Sequence, residues 1–155
     1  MIARNCLLPL FTVFLLSPLA IAAQAQNGTL ANRQPHYFDI NDWDIDADSI
    51  NYAKHIAPIL QRSCVQCHRP GGGGPMSFTS YEEVRPWAPV IMYRTAIRDR
   101  MGAMPPWYVE KNIGITDGFE SDYSLSDFDL AMIQAWARNG APRGNPADEP
   151  PALVF

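Results

Sequence analysis

The chain has 155 residues, 47% hydrophobic and 18% charged, with a formal net charge of −4. That length suits one domain around a modest core. The acidic balance excludes a role built on basic contacts to nucleic acid. Three cysteines, one of them inside the leader, exclude a disulfide-stapled scaffold.

The chain opens on an export signal. Arg4 supplies the positive end, and Leu7 to Leu16 is an apolar run interrupted only by Pro9 and Thr12. Small residues then lead to Ala23-Gln24-Ala25, so residues 1–25 read as a signal peptide, with Ala20-Ile21-Ala22 as a second cleavage site. The apolar stretch is about 18 residues long and carries two prolines, marginal for a membrane span, so an uncleaved anchor is the alternative. Loss of Arg4 leaves 11 bases against 16 acids, a formal charge of about −5. Export places the mature chain in the periplasm, with membrane contact only through an uncleaved leader or a partner.

Residues 26–48 form an acidic N-terminal arm. Its first part is polar and turn-rich. Asp39, Asp42, Asp44, Asp46 and Asp48 then alternate with Phe38, Ile40, Trp43 and Ile45. An ordered lead-in and a solvated acidic arm are both consistent with this pattern. Solvation is favoured for the charges, and packing for Trp43.

The domain proper is expected over residues 49–150. Ile56, Ile59 and Leu60 mark a short helix from Tyr52 to Cys64, with Pro58 in its first turn. It delivers Cys64-Val65-Gln66-Cys67-His68, a C-x-x-C-H pentapeptide, the attachment signature of one c-type haem. Two thiols one helical turn apart can form thioether bonds to the two vinyl groups on one edge of the macrocycle. His68 follows directly as first axial ligand. Two rivals are weaker. A redox disulfide lacks the surrounding βαβ pattern. A zinc site would have to recruit His36 or His55, and adjacent Cys67 and His68 do not easily fill two corners of one tetrahedron.

Arg69 to Pro75 holds four successive glycines, which permit close backbone approach to the haem edge; no phosphate-loop lysine follows. Ser80-x-x-Glu83 opens a second helix, which Pro86 and Pro89 interrupt and which resumes from Val90 to Arg100. Arg85, Arg94, Arg98 and Arg100 make this the basic region. Propionate contact and solvation are favoured for it over steering of an acidic partner. Met101 to Tyr108 is a loop, and residues 109–125 read as surface. Ser126-x-x-Asp129 caps a last helix with the stripe Phe128, Met132, Ile133 and Trp136, ended by Gly140 and Pro142. A proline-rich extended tail closes the chain, its last piece being residues 151–155. The sum is an all-α, loop-rich domain.

The second axial donor is open among Met76, Met92, Met101, Met104, Met132, His36 and His55. Met132 and Met92 read as core or helix methionines. Met76 lies too close to His68 to reach the opposite haem face easily. Met104 has the best context: Pro105 and Pro106 stiffen the chain behind it, and the loop from His68 is long enough to pass round the macrocycle. Met101, His55 and an open position are the remaining alternatives. Arg98, Arg100, Trp107 and Tyr108 are candidate propionate or edge contacts.

The segments Ile56-Ala57-Pro58-Ile59-Leu60, Cys64-x-x-Cys67-His68-Arg69-Pro70-Gly71 and Gly74-Pro75-Met76-Ser77-Phe78 resemble one type of bacterial monohaem cytochrome c-like domain. So do Tyr81 to Ala88, Met104-Pro105-Pro106-Trp107 and Trp136 to Pro142. Such domains occur alone or fused to copper monooxygenase-like or redoxin-like modules. The resemblance spans residues 54–150 and implies a class I-like cytochrome c fold with His68 and Met104 as axial pair. The expected role is an electron carrier between redox proteins, not an enzyme in itself. A haem subunit of a larger redox complex, for instance one supplying a copper oxygenase, ranks second. A peroxide-reducing or gas-binding catalyst with a labile Met104 ranks third.

Overall fold

The computed structural model describes residues 34–98, 101–106 and 121–155, and their regular structure is helical, with no strand among the described residues. The Asn51 side chain accepts the Lys54 amide at 3.0 Å and caps one wide turn, Tyr52–Ile56, of π type. This runs directly into α1, Ala57–Ser63, with Pro58 in its first turn. The expected single helix is therefore a wide turn followed by an α-helix. Ile56, Ile59 and Leu60 are all buried, as their spacing requires.

The second helix is broken where its prolines stand. Its pieces are α2 (Tyr81–Val84), a 3₁₀ turn (Arg85–Trp87) and α3 (Ala88–Ala96). α3 stops at Ala96 and not at Arg100. The Arg94 carbonyl, which the Arg98 amide would need to continue the helix, instead accepts the Met104 amide at 2.9 Å, and Arg98 takes a left-handed φ of 41°. α4, Asp127–Arg138, opens on the expected capping box of Ser126 and Asp129. It closes on a Schellman turn: the Ala141 amide donates to the Trp136 carbonyl at 2.9 Å, and Gly140 takes the left-handed φ of 79° that this turn demands.

α3 and α4 pack together, and the wide turn before α1 packs on α4. Between them lies one core containing Ile50, Ile56, Leu60, Val84, Ile133 and the fully buried Trp136. Losing a buried Trp side chain costs about 3–5 kcal/mol, so Trp136 anchors the assembly. Its indole N–H donates to the Pro142 carbonyl at 3.0 Å, which also accepts the Tyr52 amide at 2.9 Å. The end of α4 is thus tied to the start of the wide turn that precedes α1.

The arm has both predicted characters. Ile40 is buried in the core, with Phe38 and Ile45 packed against it, while all five aspartates are exposed. Trp43 packs edge-on against Phe128, with ring centres 5.8 Å apart. Gln134, fully buried on α4, accepts the Phe38 amide and donates to the His36 carbonyl, both at 2.8 Å. Residues 36–45 therefore belong to the same packed unit as the helices. Two 3₁₀ turns, Ile40–Trp43 and Ala47–Ser49, interrupt its extended course. The tail is largely extended around one 3₁₀ turn, Pro146–Asp148. It runs back along α1, where Gln61 donates to the Pro151 carbonyl at 3.0 Å and Arg69 lies over the Phe155 ring.

Candidate haem-binding site

α1 delivers the pentapeptide by continuing as tight turns. The Cys64 amide donates to the Leu60 carbonyl at 2.8 Å, and the Cys67 and His68 amides both donate to the Cys64 carbonyl, at 3.1 and 2.9 Å. The two cysteines are not joined to each other, and their surroundings differ: Cys64 is buried and Cys67 exposed. Burial pushes the Cys64 thiol up to about 12. Among the described residues no three His, Cys, Asp or Glu side chains gather as a metal cluster, which is what a zinc reading would have needed.

His68 is gripped by the loop that follows it. Its Nδ1 lies 3.1 Å from the Met76 carbonyl oxygen. A carbonyl can only accept, so this bond places the proton on Nδ1 and leaves the Nε2 lone pair for a metal. Phe78 stacks on the imidazole, with centres 4.5 Å apart and planes 17° from parallel. Gly74 completes the grip, since a Cβ there would lie 2.6 Å from Nδ1. The glycine run was expected to admit the haem edge; at Gly74 it admits the ligand's own ring. The loop is held by Gly74 N–H to the Cys67 carbonyl (2.8 Å) and Phe78 N–H to the His68 carbonyl (2.9 Å).

The methionines fall into distinct settings. Met132 is core, as its place on the stripe suggested. Met76 is bound through its carbonyl to His68 itself, which argues against a role on the opposite face. Met101 is 97% exposed and Met104 38% exposed. The Met104 amide donates to the Arg94 carbonyl at 2.9 Å, and the Arg94 guanidinium donates to the Gly102 carbonyl at 3.2 Å. The loop carrying Met104 is thus moored to the end of α3, with its thioether left partly uncovered. Of the nitrogen alternatives, His55 uses its Nδ1 to accept the Asn51 amide at 3.2 Å, and burial holds its imidazolium below the usual range.

The candidate propionate contacts separate. The Arg98 guanidinium is committed to the Asp127 carboxylate and the Leu125 carbonyl, and it lies over the Phe38 ring. It fastens the arm and the start of α4. Arg100, Trp107 and Tyr108 lie outside the described residues, as does the leader, residues 1–25. Among the described residues no helix is long and apolar enough to cross a membrane.

Three contributors were missed by sequence reasoning as parts of the site: the Met76 carbonyl, the Phe78 ring and Gly74 against Nδ1. A backbone acceptor has no side-chain signature, so only the short spacing after His68 hinted at it. The residues present fit a c-type haem. They supply two thiols in one turn, an imidazole with its rear nitrogen satisfied, and a thioether on a separately moored loop.

Residues 51–113 match the family described as cytochrome c oxidase, cbb3-type, subunit III. No curated protein and no solved structure matches the chain. With Cys64, Cys67 and His68 inside the matched segment, the chain carries a monohaem cytochrome c-like domain of all-α fold, holding one covalently attached haem c.

Proposed function

We propose that this monohaem cytochrome c-like domain is a periplasmic carrier of single electrons between redox proteins, with His68 and Met104 as the axial pair. The domain itself supports haem-based electron transfer. The observation that carries the finer reading is the bond from His68 Nδ1 to the Met76 carbonyl, which presets the tautomer and the ring plane. When bound, the haem supplies a reversible one-electron change at iron, with the potential raised by a thioether ligand.

The chain's own residues do the rest. Cys64 and Cys67 fix the macrocycle to the end of α1. His68, stacked on by Phe78, closely approached by Gly74 and bonded at Nδ1, would hold the iron with little freedom to move. Met104, from a loop moored to α3, would supply the second ligand. Two protein ligands keep the geometry similar in both oxidation states, which suits transfer without chemistry on a substrate. Transient electron-transfer contacts are small, so a chain of this size is sufficient.

A second reading is favoured by the name of the matched family, which describes an oxidase subunit. On that reading the chain is the haem subunit of a larger complex, and it co-purifies with membrane-bound partners under mild detergent.

The test of the carrier reading uses the mature, haem-loaded protein and its Met104→Ala variant. The expected wild-type spectrum is low-spin in both oxidation states, with the weak far-red band of ferric iron–thioether ligation and no rapid binding of carbon monoxide. In Met104→Ala that band is lost and carbon monoxide binds. A high-spin wild type, or a variant with the wild-type spectrum, overturns the assignment.

A further inference from the structure

The three contacts that orient His68 all come from a loop with no regular structure, so something must hold that loop to the core. We infer that Glu83 is a positioning residue for the haem ligand, acting through residues 76–80. This rests on His68 being the axial ligand.

Four donors converge on one carboxylate oxygen. Glu83 Oε2 accepts from the Ser77 hydroxyl (2.8 Å), the Thr79 amide (2.9 Å), the Thr79 hydroxyl (2.8 Å) and the Ser80 amide (3.1 Å). Capping α2 requires only the last of these. The other three reach back to the residues flanking Phe78, one step from the Met76 carbonyl. A single carboxylate thereby ties down both sides of the ring that stacks on His68 and the neighbour of the carbonyl that holds Nδ1.

The carboxylate is itself well founded. α2 carries the fully buried Val84, and the Tyr81 hydroxyl donates to the Ala141 carbonyl at 2.8 Å while its ring packs on Tyr52, with centres 5.3 Å apart. The path therefore runs from the core through α2 to Glu83, then to Ser77 and Thr79, and on to Met76, Phe78 and the imidazole. Donation from Nδ1–H to a carbonyl increases the basicity of the imidazole and so favours ferric iron. A loosened Met76 carbonyl weakens that donation, and the midpoint potential rises.

Two kinds of variant separate positioning from plain helix capping. Glu83→Ala removes every bond to Oε2. Ser77→Ala with Thr79→Val removes both hydroxyl bonds to the loop and leaves the Thr79 amide bond and the reciprocal cap between Ser80 and Glu83. Ser80→Ala is the control that damages the cap alone. The readouts are the midpoint potential and the His68 ring-nitrogen resonances of the haem-loaded protein. Glu83→Ala and the double variant are expected to raise the potential and shift the Nδ1 resonance together, with Ser80→Ala unchanged in both. If the double variant matches wild type, or if Ser80→Ala moves both readouts as far, Glu83 is only a cap and the proposal fails. A wild-type protein without histidine-ligated haem would instead remove the premise, and the wild-type resonances report that separately.

Discussion

Residues 64–83 and residues 101–106 each present a ligand in the proposed site, yet they are held in unlike ways. His68 is constrained by a carbonyl, a stacked ring and a glycine backbone, all belonging to a loop that Glu83 ties to the core. Among the described residues, Met104 is moored by a backbone bond to Arg94, with an exposed guanidinium contact at Gly102 in its loop, and the residue is 38% exposed. On the proposed pairing, the histidine ring is fixed by protein contacts from the loop that follows it, whereas the thioether is placed by the backbone of a segment tied to α3. Exchange at the iron is therefore expected on the Met104 side.

The sharpest way to break this contrast is to delete each ligand in turn. His68→Ala is expected to abolish the low-spin spectrum and lower the yield of attached haem, whereas Met104→Ala retains covalent haem and changes only the sixth position. Equal damage from both would mean that the two sides are equally preorganised. Gly74→Ala comes next. Its Cβ meets the imidazole at 2.6 Å with the ring trapped by Phe78, so the overpacking costs about 1–3 kcal/mol. Thermal melting of the haem-loaded protein measures it, and an unchanged melt would show that the histidine side is soft.

Much of this division could be read in the sequence, and some could not. Cys64, Cys67 and His68 announce themselves because covalent attachment needs fixed side chains at fixed spacing. The helix caps at Ser80 and Ser126 were legible for the same local reason, as was the glycine stop at Gly140. The arm's dual character followed from aspartates alternating with aromatics. The end of α3 was not legible, because its cause is Met104 taking the Arg94 carbonyl as the following loop folds back on the helix. The partners that Arg98 has in the fold were not legible for a like reason, since Asp127 and Phe38 are distant from it in the chain.

Smaller effects refine the comparison. Burial pushes the Glu83 carboxyl upward, but hydrogen bonds from Thr79, Ser77 and Ser80 outweigh it and hold the group below the usual glutamate range. A depressed carboxyl stabilises the fold above its ordinary range, and that contribution is lost as pH falls through the lowered value. Glu83→Gln is therefore expected to be less stable than wild type at neutral pH, with the gap closing in acid; denaturant melts across pH measure it. A gap independent of pH would mean that the carboxylate charge is irrelevant. Smallest is Arg98→Ala. Its ion pair with Asp127 is largely exposed and worth about 0.2–1 kcal/mol, and the midpoint potential is expected to stay unchanged. A shifted potential would mark Arg98 as a haem contact.

The most direct measurement of the axial pair is the proton resonance spectrum of the reduced, haem-loaded protein. One methionine methyl is expected far upfield, displaced by the haem ring current, and absent in Met104→Ala while Met76→Ala and Met101→Ala keep it. An upfield methyl that survives in Met104→Ala, or no such methyl in the wild type, would contradict the His68/Met104 assignment.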